Sequence, residues 1–389
     1  MSRLNELITE LCPDGVEYKT LDTVSTIERG VRVVKSQLYE DGPYPVFQNC
    51  LAPMGYYDDF NCGEKMTYVI SAGAAGEIGF SETKFWAADD CLIIKNSPDI
   101  LNKYIYYYLL TQQHFIQSKV RRASIPRLSR NVIEKIKVPI PPLEIQSEIV
   151  RILDDFSELK AELKEELKAR KEQYNYYCNN IYFDLLEKNT PLVKLGDFCD
   201  LLTGFPFDSS KFTSSGIQLM RGMNIKRGVL DFSEENNRYW INSDGLEKYL
   251  LNPDDIVISM DGSLVGKSYA VVPKEKLPLL LVQRVTRVRS SKANIHYVYH
   301  YLANGAFTKY VELRKTKGAI PHISLKDIRE FPIPLPDLTV QNKIADELDK
   351  LEKLCTSLTS GLPAEIEARE KQYEYYRDLL LTFKPKVTK

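Results

Sequence analysis

This chain is written twice, and the duplication limits its possible folds more than any single motif does. Residues 125–154, IPRLSRNVIEKIKVPIPPLEIQSEIVRILD, align without a gap on residues 320–349, IPHISLKDIREFPIPLPDLTVQNKIADELD, with eleven of thirty positions identical at an offset of 195. The match resumes at KEQYNYY (171–177) and EKQYEYY (370–376), offset by 199, and upstream at KYIYYYLL (103–110) and HYVYHYLA (296–303), offset by 193. Leu21 to Gly30 fits Leu195 to Gly204 more loosely. Solenoid repeats run about 20–50 residues, so a period of this length means a duplicated two-part unit, each half a domain followed by a helix. The boundaries expected are 1–142 and 187–337 for the domains, and 143–186 and 338–385 for the helical parts.

The helical parts are marked by their spacing. In the second, Ile344, Leu348, Leu351, Cys355, Leu358 and Leu362 step by 4, 3, 4, 3 and 4, the seam of a coiled coil. In the first, Ile149, Ile152, Phe156, Leu159 and Leu163 step by 3, 4, 3 and 4. Leu167, Tyr174, Tyr177 and Ile181 then continue one residue out of phase, a local break in the heptad. At ~1.5 Å per residue each segment spans roughly 60 Å, and Gly361 and Pro363 should kink or interrupt the second. Two such seams in one chain pack most simply on each other, antiparallel, with a domain at either end.

The domains read as mixed. Runs such as TYVIS, CLIIK, DIVIS and RVTRV alternate with turns, and a Tyr-rich helix comes after them. Tyr104, Tyr106, Tyr107 and Tyr108 in that helix suit core and rim packing better than a stacking surface. The fold class expected is therefore α+β: two mixed domains separated by two long antiparallel helices in a coiled coil, a pseudo-twofold internal repeat. Because residues 4–21 enter the first domain much as 181–195 enter the second, the two ends of the chain are expected close together.

One stretch, MDGSLVGKSYAVV (260–272), ends its glycine-containing part as a phosphate-binding P-loop does. A P-loop needs four residues between its first glycine and the Gly-Lys-Ser, whereas Gly262 and Gly266 are separated by three. It also needs a helix next, to present backbone N–H groups to the phosphates. Here the next residues are YAVVP, so the flanks DDIVIS and SYAVV read as two strands joined by a turn. A nucleotide-hydrolysing enzyme is the reading this disfavours.

Composition excludes further classes. No apolar run approaches the roughly 18 residues of a membrane span, and the N-terminal MSRLNELITELCPDG lacks the apolar core of a signal peptide, so no membrane association and a cytoplasmic location are expected. Seven cysteines without a C-x-x-C pair fit reduced thiols. His296 and His300 could share a helix face, but no third ligand stands nearby in sequence, so no metal site is expected. The net charge of −1 hides a division. Residues 143–172 carry nine acids against six bases and residues 337–374 nine against five, −3 and −4, which leaves +6 elsewhere. Lys119, Arg121, Arg122, Arg127, Arg130, Lys135 and Lys137 face only Glu134 across 119–137. A basic run by itself is usually a solvated face.

The paired stretches from Ile125 and Ile320, with KEQYNYY and GLPAEIEAREKQYEYYRDLL, resemble the DNA specificity subunits of type I restriction-modification systems, over essentially the whole chain. The resemblance implies two target-recognition domains, 1–142 and 187–337, each reading one half of a split double-stranded DNA target with an unread spacer between. It implies two methyltransferase subunits on the helices, where Tyr174, Tyr177, Tyr373 and Tyr376 are candidate contacts, and ATP-driven restriction subunits (nuclease and translocase) joining them. It implies no cofactor in this chain, with S-adenosylmethionine, ATP and Mg on the partners, and a non-catalytic role. The recognition subunit of a type IIB-like restriction-methylation enzyme is the close alternative. Neither an Asn/Asp-Pro-Pro-aromatic run nor a Pro-Asp strand beside the E-L-K triplets at 158–168 is present to support an enzyme.

On that reading the paired comparison nominates DNA contacts. Val257-Ile258-Ser259 lines up with Val69-Ile70-Ser71, which makes SMDGSLVGKS a hairpin approaching DNA, with Lys267 at a phosphate and Asp261 and Ser263 at base edges. Ser71 holds the matching place in the first copy. Gln48-Asn49, and Arg221 with Asn224, sit early in each domain; Gln and Asn pair bidentately with adenine and Arg with guanine. Gln283-Arg284 aligns with Asp90-Cys91, a difference that suits different half-sites. The basic runs, with Lys119, Arg121, Arg122 and Arg127 in one copy and Arg314, Lys315 and Lys317 in the other, suit phosphate contacts that fix register.

Overall fold

In the computed structural model, which describes residues 2–357 and 360–386, the two copies of the repeat build the same sheets in the same order. The chain divides into two units, residues 1–164 with 365–389, and residues 165–364. Each unit thus contains one predicted domain, part of the first helical segment and part of the second.

In the first unit α1 (Ser2–Leu11) leads to β1 (Tyr18–Thr20), α2 (Leu21–Val24), β2 (Ser25–Arg29), β3 (Tyr44–Phe47) and β4 (Gly55–Tyr57). Then come β5 (Met66–Ile70), β6 (Ile78–Ser81), β7 (Trp86–Ala87), β8 (Cys91–Asn96), α3 (Asn102–Thr111), α4 (Gln113–Ser118), α5 (Arg130–Glu134) and β9 (Lys137–Pro139). A single helix, α6 (Leu143–Glu187), comes next. The second unit repeats the plan with β10 (Leu192–Lys194), α7 (Leu195–Phe198), β11 (Asp200–Thr203), β12 (Ile217–Met220), β13 (Tyr239–Trp240), β14 (Ile256–Ser259) and β15 (Tyr269–Val271). It continues with β16 (Leu279–Leu281), β17 (Val285–Arg289), α8 (Ile295–Ala303), α9 (Ala306–Glu312), α10 (Leu325–Arg329) and β18 (Pro332–Pro334). The order β2-β8-β5-β6 matches β11-β17-β14-β15, β4-β3-β7 matches β13-β12-β16, and β1-β9 matches β10-β18. Even the parallel pairing of β3 with β7 recurs, as β12 with β16.

Burial explains the composition of these strands. β5 and β8 read as continuous apolar runs because both of their faces are covered. One face meets α3, whose Tyr104, Ile105 and Leu109 join Val69 and Ile94 of the sheet and Ile149 and Leu153 of α6 in one core. The tyrosine hydroxyls find acceptors on β9, Tyr104 at Pro139 O (3.1 Å) and Tyr108 at Lys137 O (2.8 Å), as buried phenols require. The Tyr-rich helix is core, as its spacing suggests. In the second unit Tyr297, Val298 and Leu302 of α8 and Cys178 and Tyr182 of α6 occupy the equivalent core.

The second helical segment is two helices, α11 (Leu338–Thr356) and α12 (Leu362–Leu380), which corrects the expected single element over 338–385. The interruption falls at the predicted Gly361, where a Cβ would stand 2.7 Å from Lys353 O; Leu358 of the predicted seam lies outside the described residues. Within the first unit Phe156 stacks on Tyr376 (5.4 Å between centroids) and Lys160 Nζ meets Glu370 Oε1 at 2.9 Å. Partner numbers fall as α6 advances, so α12 runs against it there. Residues 383–386 close the first unit beside its entry: Val16 N donates to Lys384 O (2.8 Å) and Lys386 N to Val16 O (2.9 Å). Among the described residues the two end segments meet here, at Val16 with Lys384 and Lys386. No helix among the described residues is long and apolar enough to cross a membrane.

Candidate nucleic-acid interface

Gly266 answers the P-loop question. Its φ is +80°, and a Cβ there would lie 2.8 Å from Val311 Cβ of α9; the glycine lets the turn pack on that helix. β14 and β15 pair across the turn (Ile256 with Val271, Ile258 with Tyr269), so a strand comes after Lys267 where a P-loop has a helix. The first copy does the same with Gly76, φ +91°, against Ile116 of α4.

Four segments meet at this turn in each unit. In the first, Ala74 N donates to Asn49 O after β3 (2.9 Å), Gly73 N to Pro126 O (3.2 Å), and Ser71 N to Asp90 O before β8 (2.7 Å). In the second, Gly262 N donates to Pro321 O (3.0 Å) and Met260 N to Arg284 O (2.9 Å), while Gly222, after β12, leaves no room for a Cβ beside Ser259 Oγ. The end of β3 or β12, the hairpin turn, the entry to β8 or β17 and the basic loop thus form one edge.

These bonds also correct the alignment. Ser71 takes the place of Met260, and Asp90 that of Arg284, because each pair makes the same backbone bond. Gly30 N to Cys91 O and Gly204 N to Val285 O fix the same register. The pairing of Ser71 with Ser259, and of Cys91 with Arg284, is one residue out. In a strand that slip exchanges inward for outward side chains.

Placement sorts the nominated residues. Ser71 is buried and its hydroxyl donates to Asp90 O (2.9 Å), so it braces the edge and offers nothing outward. Asn224 is likewise fully buried: Nδ2 donates to Asp231 O and Asn236 O, and Oδ1 accepts from Arg221 N. Arg221 is half-buried, with Nη2 donating to Asn236 O at 2.7 Å, and burial followed by Arg238 lowers its pKa. Gln48 occupies the place of Arg221, next after the paired Phe47 and Met220. Asn49, Ser263, Lys267, Gln283 and Arg284 are exposed. Asp261, assigned to a base edge, is instead a brace: Oδ2 accepts from Arg284 Nη1 (2.8 Å) and Oδ1 pairs with His322. Arg284 itself has φ +66°, a left-handed conformation uncommon outside glycine, and its side chain stands 63% exposed. Sequence reasoning missed His322, although its place is that of Arg127 in the aligned repeat.

The basic loops are solvent-facing. Lys119, Arg121, Arg122, Arg127, Arg314 and Lys317 are exposed, and none has a carboxylate partner among the described residues. Lys315 pairs with Glu312 (2.7 Å), and Arg314 lies over the Tyr310 ring at 3.7 Å. Of the helix tyrosines, Tyr373 is buried and Tyr174 bonds His300 Nδ1 (2.9 Å), so both serve their own units. Tyr376 stacks on Phe156, and Tyr177 is exposed. The unnamed neighbours Tyr176 and Tyr375 face solvent most, at 64% and 65%. The signal for them was the repeat itself, since they match at offset 199.

His296 and His300 do have carboxylate neighbours, Asp349 and Glu352 of α11, which the sequence could not place. His300 Nε2, Asp349 and Glu352 oxygens gather within 4.8 Å. Tyr174 bonds His300 Nδ1 and Tyr299 donates to Glu352 Oε1. In the first unit Tyr107, Asp154 and Ser157 make the same junction with no metal-ligand set, so the cluster is a joint between helices.

The sequence pattern of the type I restriction modification DNA specificity domain matches residues 13–171 and again 187–368. The EcoR124I/EcoR124II type I restriction enzyme specificity subunit of Escherichia coli is 31% identical over 385 residues, covering 94% of this chain and 89% of the relative. A putative type I specificity subunit of Haemophilus influenzae is 27% identical, covering 95% and 96%. Among solved structures, the type I S subunit from M. genitalium superposes with a TM-score of 0.60 at 16% identity, covering 94% of this chain and 95% of that one. With one pattern matched by each half, over most of its length, the chain belongs to the type I restriction-modification DNA specificity family.

Proposed function

We propose that this chain reads a bipartite DNA target, one half with each unit, and scaffolds the methyltransferase and restriction subunits without catalysing a step itself. One observation carries the reading. The two units share a frame down to individual backbone bonds at the hairpin edge, yet present different side chains on it: Gln48, Asn49 and Asp90 in one, Arg221, Gln283 and Arg284 in the other. A conserved frame with exchanged tips suits two readers of different sequences. The flanking cations then meet phosphates and fix register.

The helical parts are read as an antiparallel coiled coil with pseudo-twofold repetition, supported in the first unit by the Phe156–Tyr376 and Lys160–Glu370 contacts. Two methyltransferase subunits dock on them, with Tyr176 and Tyr375 as the exposed anchors; aromatic side chains of this kind dominate interface energetics. S-adenosylmethionine, ATP and Mg belong to those partners, and the complex works in the cytoplasm. Sequencing the methylated positions of a genome in cells that carry this chain and its methyltransferase tests the whole reading. A split motif is expected, and Gln283→Ala with Arg284→Ala should relax only one half. A single undivided motif, or none, would overturn it.

A further inference from the structure

The basic loops carry at their tips an apolar side chain that their charge does not explain. Ile125 is 53% exposed and Ile320 is 68% exposed, and they correspond at offset 195. Single exposed apolar residues are ordinary. This one recurs at the same point of both loops, with the proline after it, and both loops are braced. Arg121 N donates to Arg127 O (2.9 Å) and Arg127 N to Arg121 O (3.1 Å); Thr316 N donates to His322 O (2.9 Å) and His322 N to Thr316 Oγ1 (3.0 Å). The next residue, Pro126 or Pro321, is tied by its carbonyl to the hairpin turn. Each isoleucine is therefore held out beside the edge that bears the base-reading candidates, with Arg121, Arg122 and Arg127 around Ile125 and Arg314 and Lys317 before Ile320.

A purely apolar partner face would leave those cations desolvated and unpaired, at a cost. A duplex satisfies both: phosphates for the cations, and a stack of bases for the isoleucine. Apolar side chains entered between base steps unstack and kink DNA in proteins that also grip the backbone with cations. We propose that Ile125 and Ile320 are wedges, one per half-site, each entering a base step next to the bases its unit reads. The inference rests on the DNA-reading function proposed for the two units.

The test uses the complex reconstituted with its methyltransferase on DNA carrying 2-aminopurine beside, but not at, the methylated base. Wild type should raise the fluorescence of one such probe in each half-site. Ile320→Ser should abolish the rise in the second unit's half-site alone and weaken specific binding about tenfold, the scale of one buried aliphatic side chain. The slope of log K against log salt should stay unchanged, because no phosphate contact is removed, and Ile320→Leu should restore both signals. A fluorescence rise and affinity unaltered in Ile320→Ser would overturn the wedge, as would loss of methyltransferase docking with DNA affinity kept. If wild type itself showed no sequence preference, the failure would belong to the DNA-reading function.

Discussion

His300 Nε2 of α8 lies 2.7 Å from Asp349 Oδ1 of α11, and in the other copy Tyr107 and Lys103 hold Asp154 in the same way. Asp349 and Asp154 correspond at offset 195, His300 and Tyr107 at 193, and His296 and Lys103 also at 193. Each aspartate ties the domain's helix to the long helical part. Only the second copy does so with imidazoles, and of these His296 has its pKa raised.

The second unit alone should therefore respond to pH at this joint. Asp349 hydrogen bonds to His296 and raises its pKa above the ordinary value, against the effect of burial. Burial would raise the Asp349 carboxyl, but hydrogen bonds from His296 and His300 hold it well below the usual carboxylate range. Asp254 also faces His296, and Glu352, raised by burial, lies beside them. A raised histidine contributes fully below its unfolded value, about pH 6.5, and loses its contribution as pH rises through the folded value. The depressed aspartate contributes above about pH 4 and loses it on further acidification. The α8–α11 joint should be tightest between those limits and loosen as pH rises through the raised value of His296, whereas the Lys103–Asp154 joint should not. Hydrogen exchange of residues 295–303 and 102–111, corrected for intrinsic rates, at pH 6 and pH 8.5 should show protection lost only in the former. His296→Ala should flatten the difference.

The glycine of the hairpin turn is expected to matter for folding and its lysine not to. Gly266→Ala places a Cβ at positive φ and 2.8 Å from Val311 Cβ, which should cost roughly 2–5 kcal/mol. Lys267→Ala removes an exposed side chain and should change stability by about 0.5 kcal/mol or less. Thermal unfolding of the two variants gives the comparison. An equal loss in both would mean that the turn does not pack on α9 as described.

Charge on the first basic loop should act on all sequences alike. Arg121→Ala with Arg122→Ala removes two exposed cations without carboxylate partners among the described residues. Binding should weaken for specific and random duplexes together, and the salt slope should fall by roughly 1–2. A changed methylated half-site with an unchanged slope would assign these residues to base reading instead.

Much of the fold is legible in the sequence because burial imposes a period. The start of the α6 seam (Ile149, Ile152, Phe156), the apolar runs of β5 and β8 and the tyrosines of α3 reflect one shared core, although Leu159 of the seam is exposed, so the duplicated domain-and-helix plan can be read directly. Individual site residues cannot. Ser71 and Asn224 have the side chains of DNA contacts, but a buried polar group must find an internal partner first, and theirs are backbone carbonyls remote in sequence. Arg284 is matched one residue out because identity is sparse where the hairpins differ, and only hydrogen-bond register separates neighbours in a strand. Asp261 loses its assigned role to His322, 61 residues away. The helix tyrosines divide by a rotation of two residues, about 200°, which places Tyr174 against His300 and Tyr176 in solvent.

Residues 158–169 of α6 repeat Glu-Leu-Lys-Ala, Glu-Leu-Lys-Glu, Glu-Leu-Lys-Ala. The four-residue period sets like charges at i,i+4, so the opposite-charge contacts are Lys168 with Glu165 (3.9 Å) and, just beyond the stretch, Arg170 with Glu166 (3.4 Å). Its position between the two helical halves gives it a second consequence. Four added residues lengthen a helix by ~6 Å and turn it by ~400°, about 40° past a full turn. One base pair turns DNA by roughly 34–36° and advances it ~3.4 Å. The rotation matches one base pair, and the translation falls between one and two. Facing a groove depends on rotation, whereas a small surplus of length is taken up by tilt. Inserting Glu-Leu-Lys-Ala after Ala169 should therefore keep both half-sites and lengthen the unread spacer by about one pair. Methylation mapping of the insertion variant reads the spacer directly. An unchanged spacer would mean that α6 does not set it, and altered half-sites would mean that the two units do not read independently.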